Sequence, residues 1–258
     1  MGLLGKFLEK KICSICGDEI KLLGNRKLED GNLCKNCSAK LSPWFSDRRS
    51  STVEEIQAQL AYREKNKAAV AAFNVTRSLG ENTKVLIDED AGKFMVTRAR
   101  DLKEANPDVI DFAQVTGVEL EIEDKRDEAE FKDKEGHMTS YVPPRYHFAY
   151  DFNIEIRVNH PYFDHIEFQL NPSTVELNPD SSLPENRMPN PQENAKYREY
   201  EEMGLEIKRI LTNARKEARE EAKAAAAPKK AVACPHCGAT TLPDANGCCE
   251  YCGGSLNG

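Results

Sequence analysis

The spacing of apolar and polar positions changes several times along the chain, and each change marks an element. Over residues 51–73 the apolar positions Val53, Ile56 and Leu60 recur at helical spacing with charged positions opposite. The run Ser51-Thr52-Val53-Glu54-Glu55 carries a capping-box signature, so a helix opens there and runs to about Phe73 as a connector packed on the middle domain. From residue 74 the period shortens to two. Residues 84–89 and 93–98 flank Asp90-Ala91-Gly92, which predicts a hairpin. Residues 109–112 lead into 118–123, where Val118, Leu120 and Ile122 share one face of a strand and Glu119, Glu121 and Glu123 the other. That glutamate row reads as the solvated face of an antiparallel sheet, not as an acid–base or metal site. The charged stretch 124–137 is expected to be a loop. Residues 146–158 form a long strand, 159–162 a turn, 165–170 a returning strand, and 178–192, rich in Pro, Asn and Ser, a loop.

A long helix occupies 193–227, with Tyr197, Met203, Ile207, Ile210, Leu211 and Ala214 on its apolar side. Beyond Arg215 the apolar face ends in a Lys/Glu/Ala run, an exposed helical spacer that Pro228 stops. Strands in meander order followed by one helix predict an antiparallel β-barrel or sandwich with a capping helix. At the other end Leu3, Leu4, Phe7 and Leu8 fall on one stripe, expected to dock on the protein's own body.

The cysteines add metal chemistry to this frame. Eight of the nine lie in CxxC pairs: Cys13 and Cys16 with Cys34 and Cys37, and Cys234 and Cys237 with Cys249 and Cys252. Two facing CxxC pairs make a cage of four thiolates with no open position, which predicts a structural zinc ion at each end of the chain. Four thiolates can also hold an iron–sulfur cluster, the alternative reading. Gly17, Gly238 and Gly253 follow their pairs, as tight knuckles require. Glu29-Asp30-Gly31-Asn32 turns the chain back toward Cys34. Cys248 is the odd cysteine and reads as a bystander. The single tryptophan, Trp44, and Phe45 are expected to cover the metal module or its junction.

Other constellations are weaker. His160, Asp164 and His165 lie close in sequence but lack a third histidine, so they read as surface polar groups. Asp88-Glu89-Asp90 does not continue as a calcium loop. The chain carries no P-loop, GxSxG or HExxH motif, and nothing in it asks for catalysis.

Charge narrows the partners. The net charge is −7 over 258 residues, which disfavours wholesale phosphate binding. Residues 1–49 carry a basic excess, so nucleic acid is a secondary candidate for that module alone. The acidic middle disfavours nucleic acid and anionic membrane surfaces alike. No apolar run reaches the ~18 residues of a membrane-spanning helix. Nothing resembles a secretory signal, so the thiols are expected reduced, in a cytoplasm.

The spacing of Cys13, Cys16, Cys34 and Cys37 resembles treble-clef fingers, including the GATA type, but the Trp-Arg-Arg of GATA hairpins is replaced by 22–28, Leu-Leu-Gly-Asn-Arg-Lys-Leu. Those cysteines with Asp30-Gly31 before the second pair resemble the domain of unknown function 4428 family. That resemblance implies zinc, a cytoplasmic setting and bacterial, Firmicute-type origin, and no activity. The stretch 106–119 resembles a segment of bacterial pleckstrin-homology-like domains, a likeness extending over about residues 74–215. The expected organisation is α+β: an N-terminal treble-clef or zinc-ribbon module (1–49), a connector helix (50–73), a pleckstrin-homology-like β domain with its C-terminal helix (74–215), a helical spacer (216–231) and a C-terminal zinc ribbon (232–258). The expected function is that of a non-enzymatic adaptor binding protein partners, with Asn25, Arg26, Lys27 and the Trp44-Phe45 edge as the surface to examine.

Overall fold

The computed structural model describes residues 11–21, 23–177, 183–184, 188–226, 231–244 and 247–256. The N-terminal stripe of Leu3, Leu4, Phe7 and Leu8, part of the 178–192 loop and the helix stop at Pro228 lie outside them. The chain divides into two compact units, Met1–Lys216 and Glu217–Gly258.

The first unit begins with two short antiparallel hairpins. Strand β1 (Lys11–Ile12) pairs with β2 (Glu19–Ile20), and β3 (Arg26–Lys27) with β4 (Asn32–Leu33). A one-turn helix, α1 (Lys35–Ser38), carries the second cysteine pair. These pieces are too small to bury a core alone, and the long helix α2 (Val53–Ala72) completes it. Ile56 of α2 is fully buried among Ile20, Leu28, Leu33 and Leu41, with Val53 and Leu60 beside it. The apolar stripe of α2 therefore serves the cysteine module, and its polar second half faces the rest of the unit. The capping box forms as its sequence requires: Thr52 Oγ1 accepts from the Glu55 N–H, and Glu55 accepts from the Thr52 N–H at 2.7 Å.

Strands β5 (Arg77–Leu79), β6 (Lys84–Asp88) and β7 (Lys93–Thr97) are followed by a short helix, α3 (Leu102–Ala105), and strand β8 (Ile110–Asp111). The four strands form an antiparallel sheet in meander order. Val85, Ile87, Phe94, Met95 and Ile110 are its fully buried side chains.

A second sheet is built on a sixteen-residue strand. Strand β9 (Val115–Glu128) leads through the hairpin β10 (Glu130–Lys132) and β11 (Met138–Ser140) into β12 (Arg145–His160), and β9 pairs with β12 along nearly its whole length. The other edge of β12 is taken in turn by β13 (Phe163–Gln169), β14 (Val175–Leu177) and β15 (Leu183–Pro184).

The loop expected over 124–137 is thus corrected. β9 continues through Glu128 because β12 offers unpaired backbone groups that far. The charged side chains are solvated or engaged: Lys125 pairs with Asp151, and Arg126 lies 3.7 Å over the Tyr146 ring. Both sheets are open, and no strand pairing joins them among the described residues.

Helix α4 (Ala195–Ala226) covers the second sheet. Tyr197 meets Tyr150 and Phe152 edge-on at 5.0 and 5.1 Å. Gly204 lies against Leu120, where a Cβ would sit 2.7 Å from a methyl carbon. Tyr200 donates to Glu81 at 2.6 Å and Arg77 donates to Glu206 at 3.0 Å, which ties the helix to the four-stranded sheet as well. Tyr197, Ile207 and Leu211 are buried as the periodicity predicts, whereas Met203 and Ile210 are half-buried.

In the second unit β16 (Val232–Ala233) pairs with β17 (Thr240–Thr241), and single bridges join Pro243 to Cys249 and Cys248 to Ser255.

Candidate metal centres

The two four-cysteine groups are built differently. In the first, Cys13 and Cys16 sit on a knuckle: Gly17 has φ +78° and its N–H donates to the Cys13 carbonyl at 2.9 Å. Glycine accepts that left-handed conformation without steric cost. The second pair sits on α1, where Cys34 is the N-cap and its Sγ accepts from the Cys37 N–H at 3.4 Å. The Cys34 N–H in turn donates to Cys13 Sγ at 3.3 Å.

In the C-terminal group both pairs are knuckles. Gly238 and Gly253 have φ +77° and +70°, and each donates to the carbonyl of its first cysteine at 2.8 Å.

Distance identifies what the sulfurs can do. Within each group all four Sγ atoms lie within 4.8 Å of one another. Cys16 and Cys34 are 3.8 Å apart, Cys234 and Cys252 3.5 Å, and Cys237 and Cys249 3.7 Å. A zinc tetrahedron with Zn–S bonds of about 2.3 Å has edges of about 3.8 Å, whereas a disulfide is about 2.05 Å. The sulfurs are therefore spaced as the corners of such a tetrahedron would be. Each group could hold one metal ion, and the donor set is consistent with zinc.

The electrostatics point the same way. Burial opposes a thiolate at Cys13, but the N–H groups of Cys16, Cys34 and Ile15 outweigh it and hold the pKa at about 6. Cys234 is likewise opposed by burial and lowered to about 6 by the N–H groups of Cys237 and His236. Their cage partners move the other way. Burial and the neighbouring thiols push Cys37 far up. At Cys252 the Gly254 N–H favours the thiolate, but Cys237 and Cys234 prevail and push it up to about 12. Cys13 and Cys234 are thus prepared as thiolates, and a cation bound in the cage would favour the thiolate at Cys37 and Cys252.

Asp30-Gly31 has a physical role in the first cage. Asp30 accepts the Val53 N–H at 2.8 Å, which adds a cap to α2. A Cβ on Gly31 would stand 2.6 Å from both Ser14 Oγ and Val53 Cγ2, so the knuckle, the hairpin and the helix meet there with no room for a side chain.

The polar seam beyond this module escaped the periodicity reading. Asp108, 1% exposed, accepts from Ser42 Oγ at 2.8 Å, Arg63 Nη1 at 2.8 Å and the Tyr62 hydroxyl at 3.2 Å. Arg63 Nε donates to the Lys40 carbonyl at 3.2 Å. Asn66 donates to Asn106 and Pro107 and accepts from the Val109 N–H. Asn106, at φ +48°, donates back to the Arg63 carbonyl. The signal in the sequence is that Gln59, Arg63 and Asn66 continue the spacing set by Ile56 toward Val70, so polar residues occupy a buried face.

Of the two aromatic residues after the module, Phe45 packs on the cysteine-module core. Trp44 does not; it lines a cavity of about 360 Å³ with residues of the four-stranded sheet and β13. Asn25 donates to Asn32 at 2.9 Å, Arg26 reaches the Leu23 and Asn25 carbonyls at 3.5 Å, and Lys27 is exposed. His165 pairs with Asp164 at 2.5 Å. His160 instead stacks on Phe163 at 4.1 Å and meets Tyr62, and burial holds its pKa below the usual value, so the three do not converge. Cys248 lies outside the four-sulfur group, its N–H donating to Asp244. His236 packs over Gly254, where a Cβ would come within 2.5 Å of its ring.

No helix is long and apolar enough to cross a membrane among the described residues. No curated protein and no solved structure matches the chain. A family model described as a domain of unknown function, DUF4428, matches residues 11–59, the cysteine module together with the start of the helix that completes its core.

Proposed function

We propose that the protein is a non-enzymatic adaptor of the bacterial cytoplasm, held together by two structural zinc ions and presenting folded modules to protein partners. The observation that carries this reading is the pair of closed four-thiol cages with sulfur–sulfur separations of 3.5–3.8 Å. An all-thiolate cage leaves no coordination position for substrate or water, so its zinc maintains a fold and performs no reaction. The N-terminal module, one knuckle and one helix-borne pair, has the plan of a treble-clef finger. The C-terminal one, with two knuckles, has the plan of a zinc ribbon. The four-strand meander, the second antiparallel sheet and the following helix α4 support a pleckstrin-homology-like reading of the middle. Affinity capture of the full chain from its host, with crosslinking, should recover a stoichiometric protein partner. Recovery of none, together with turnover of a substrate, would count against the adaptor reading.

Nucleic-acid binding is the second reading, favoured by one feature. Arg26, Arg48 and Arg49 crowd one side of the N-terminal module, and burial together with those two cations lowers the Arg48 pKa. Binding of the full chain to DNA or RNA at low salt, weakened by Arg48→Ala with Arg49→Ala and by added salt, would support it. Absence of binding at low salt would end it.

A further inference from the structure

The geometry points to the outer edge of β9 as the docking site for a protein partner, which adds to the second sheet a strand of alternating basic and apolar residues. Among the described residues β12 is the only strand that pairs with β9. Arg215 takes the Thr116 carbonyl at the strand's start. From Val118 to Glu128 no strand lies along the other edge, and the pairing with β12 runs without a bulge over those residues. No proline or glycine interrupts them. A long, regular edge is a template for a further strand, and charge is the one common protection that this edge carries.

That charge selects the occupant. Residues 118–128 hold six acidic side chains and two basic ones. Glu119, Glu121 and Glu123 are exposed and lie on one face by strand alternation. Glu155 stands opposite Glu119, and Glu167 opposite Glu155, so the same face stays acidic across the sheet. Arg157 engages Glu119 and Lys125 lies 3.8 Å from Glu123, whereas no cation pairs with Glu121 among the described residues. On the other face Leu120 and Ile122 are half-buried, leaving apolar surface beside the edge.

Two copies paired along the glutamate row would set carboxylates opposite one another, which repel. A strand with lysine or arginine opposite the glutamates and apolar residues beside Leu120 and Ile122 matches both faces at once. The edge thus rejects a second copy and accepts a basic, amphipathic strand. This inference rests on the adaptor reading and names the chemistry of its partner.

The probe is a fluorescein-labelled, seven-residue peptide of alternating lysine and valine. Titration with the full-length, zinc-loaded chain should give a saturable rise in anisotropy, and the glutamate–valine counterpart should give none. In an added strand only every second N–H faces the edge. N-methylation of one alternate set of amides should therefore weaken binding at least about tenfold, and methylation of the other set should change it little. Glu121→Lys should weaken the parent peptide by about tenfold, with an unchanged melting temperature establishing that the variant folds. No saturable binding overturns the proposal. So does equal binding of both methylated peptides, which would make the contact charge attraction without strand pairing. A host partner that is captured equally by the Glu121→Lys chain would overturn this site and leave the adaptor reading standing.

Discussion

Arg63 and Asp108 form a buried ion pair at 2.8 Å, with side chains 8% and 0% exposed, between a helix whose first half completes the cysteine module and the loop that leads into the four-stranded sheet. A buried pair is weak evidence of net stabilisation, but removing one partner leaves a charge in the interior. Asp108→Asn should therefore lower the stability of the first unit by about 3–5 kcal/mol. The double variant Arg63→Met with Asp108→Leu should lose far less than the sum of the single changes. Urea unfolding followed by Trp44 emission reads this unit, and additive losses would show that the pair does not act as one.

Gln59 lies four residues before Arg63 on the same helix, fully buried, and neither polar atom of its side chain has a partner among the described residues. An unpaired buried amide costs about 1–3 kcal/mol. Gln59→Met keeps the shape without the polar atoms and should leave the unfolding midpoint unchanged or raise it. A clear fall would mean that an ordered water or another group satisfies the amide.

Gly31→Ala should lower stability by about 1–3 kcal/mol, because the added carbon meets Ser14 and Val53 at 2.6 Å. The damage should be local. Chelator competition should strip metal faster from the Cys13–Cys37 cage and at an unchanged rate from the C-terminal one. Equal loss from both would contradict the tight junction described for Gly31.

These residues show what the sequence made legible. The CxxC spacing grouped the same eight cysteines whose sulfurs stand within 4.8 Å of one another in two sets, because such a set is encoded in short local motifs. The capping box and the alternating strands were readable for the same reason, since each signal lies within a few residues. The Arg63–Asp108 pair, 45 residues apart in sequence, was not, because a charge on an amphipathic helix looks solvated until its partner is placed. The polar run 124–128 misled in the opposite direction. It is strand because β12 pairs with it, a fact carried by residues 146–150 and not by the run itself.

Asp151 gives a pH dependence with a defined sign. Burial opposes its charge, but hydrogen bonds from Lys125, Asn171 and Thr174 prevail and hold its pKa below the ordinary carboxylate value. A group lowered on folding stabilises the native state above its unfolded pKa of about 3.9 and loses that contribution as pH falls through the folded value. Asp151→Asn should be destabilised relative to the parent at pH 7, and the difference should shrink as pH drops below about 4. A constant difference across that window would assign the effect to packing.

The central claim is that each four-thiol group is a zinc site. Elemental analysis of the purified full-length chain, by inductively coupled plasma mass spectrometry, tests it most directly. The account predicts two zinc ions per chain, one for each four-cysteine group. A chain that holds no zinc, or holds iron with inorganic sulfide, would contradict it.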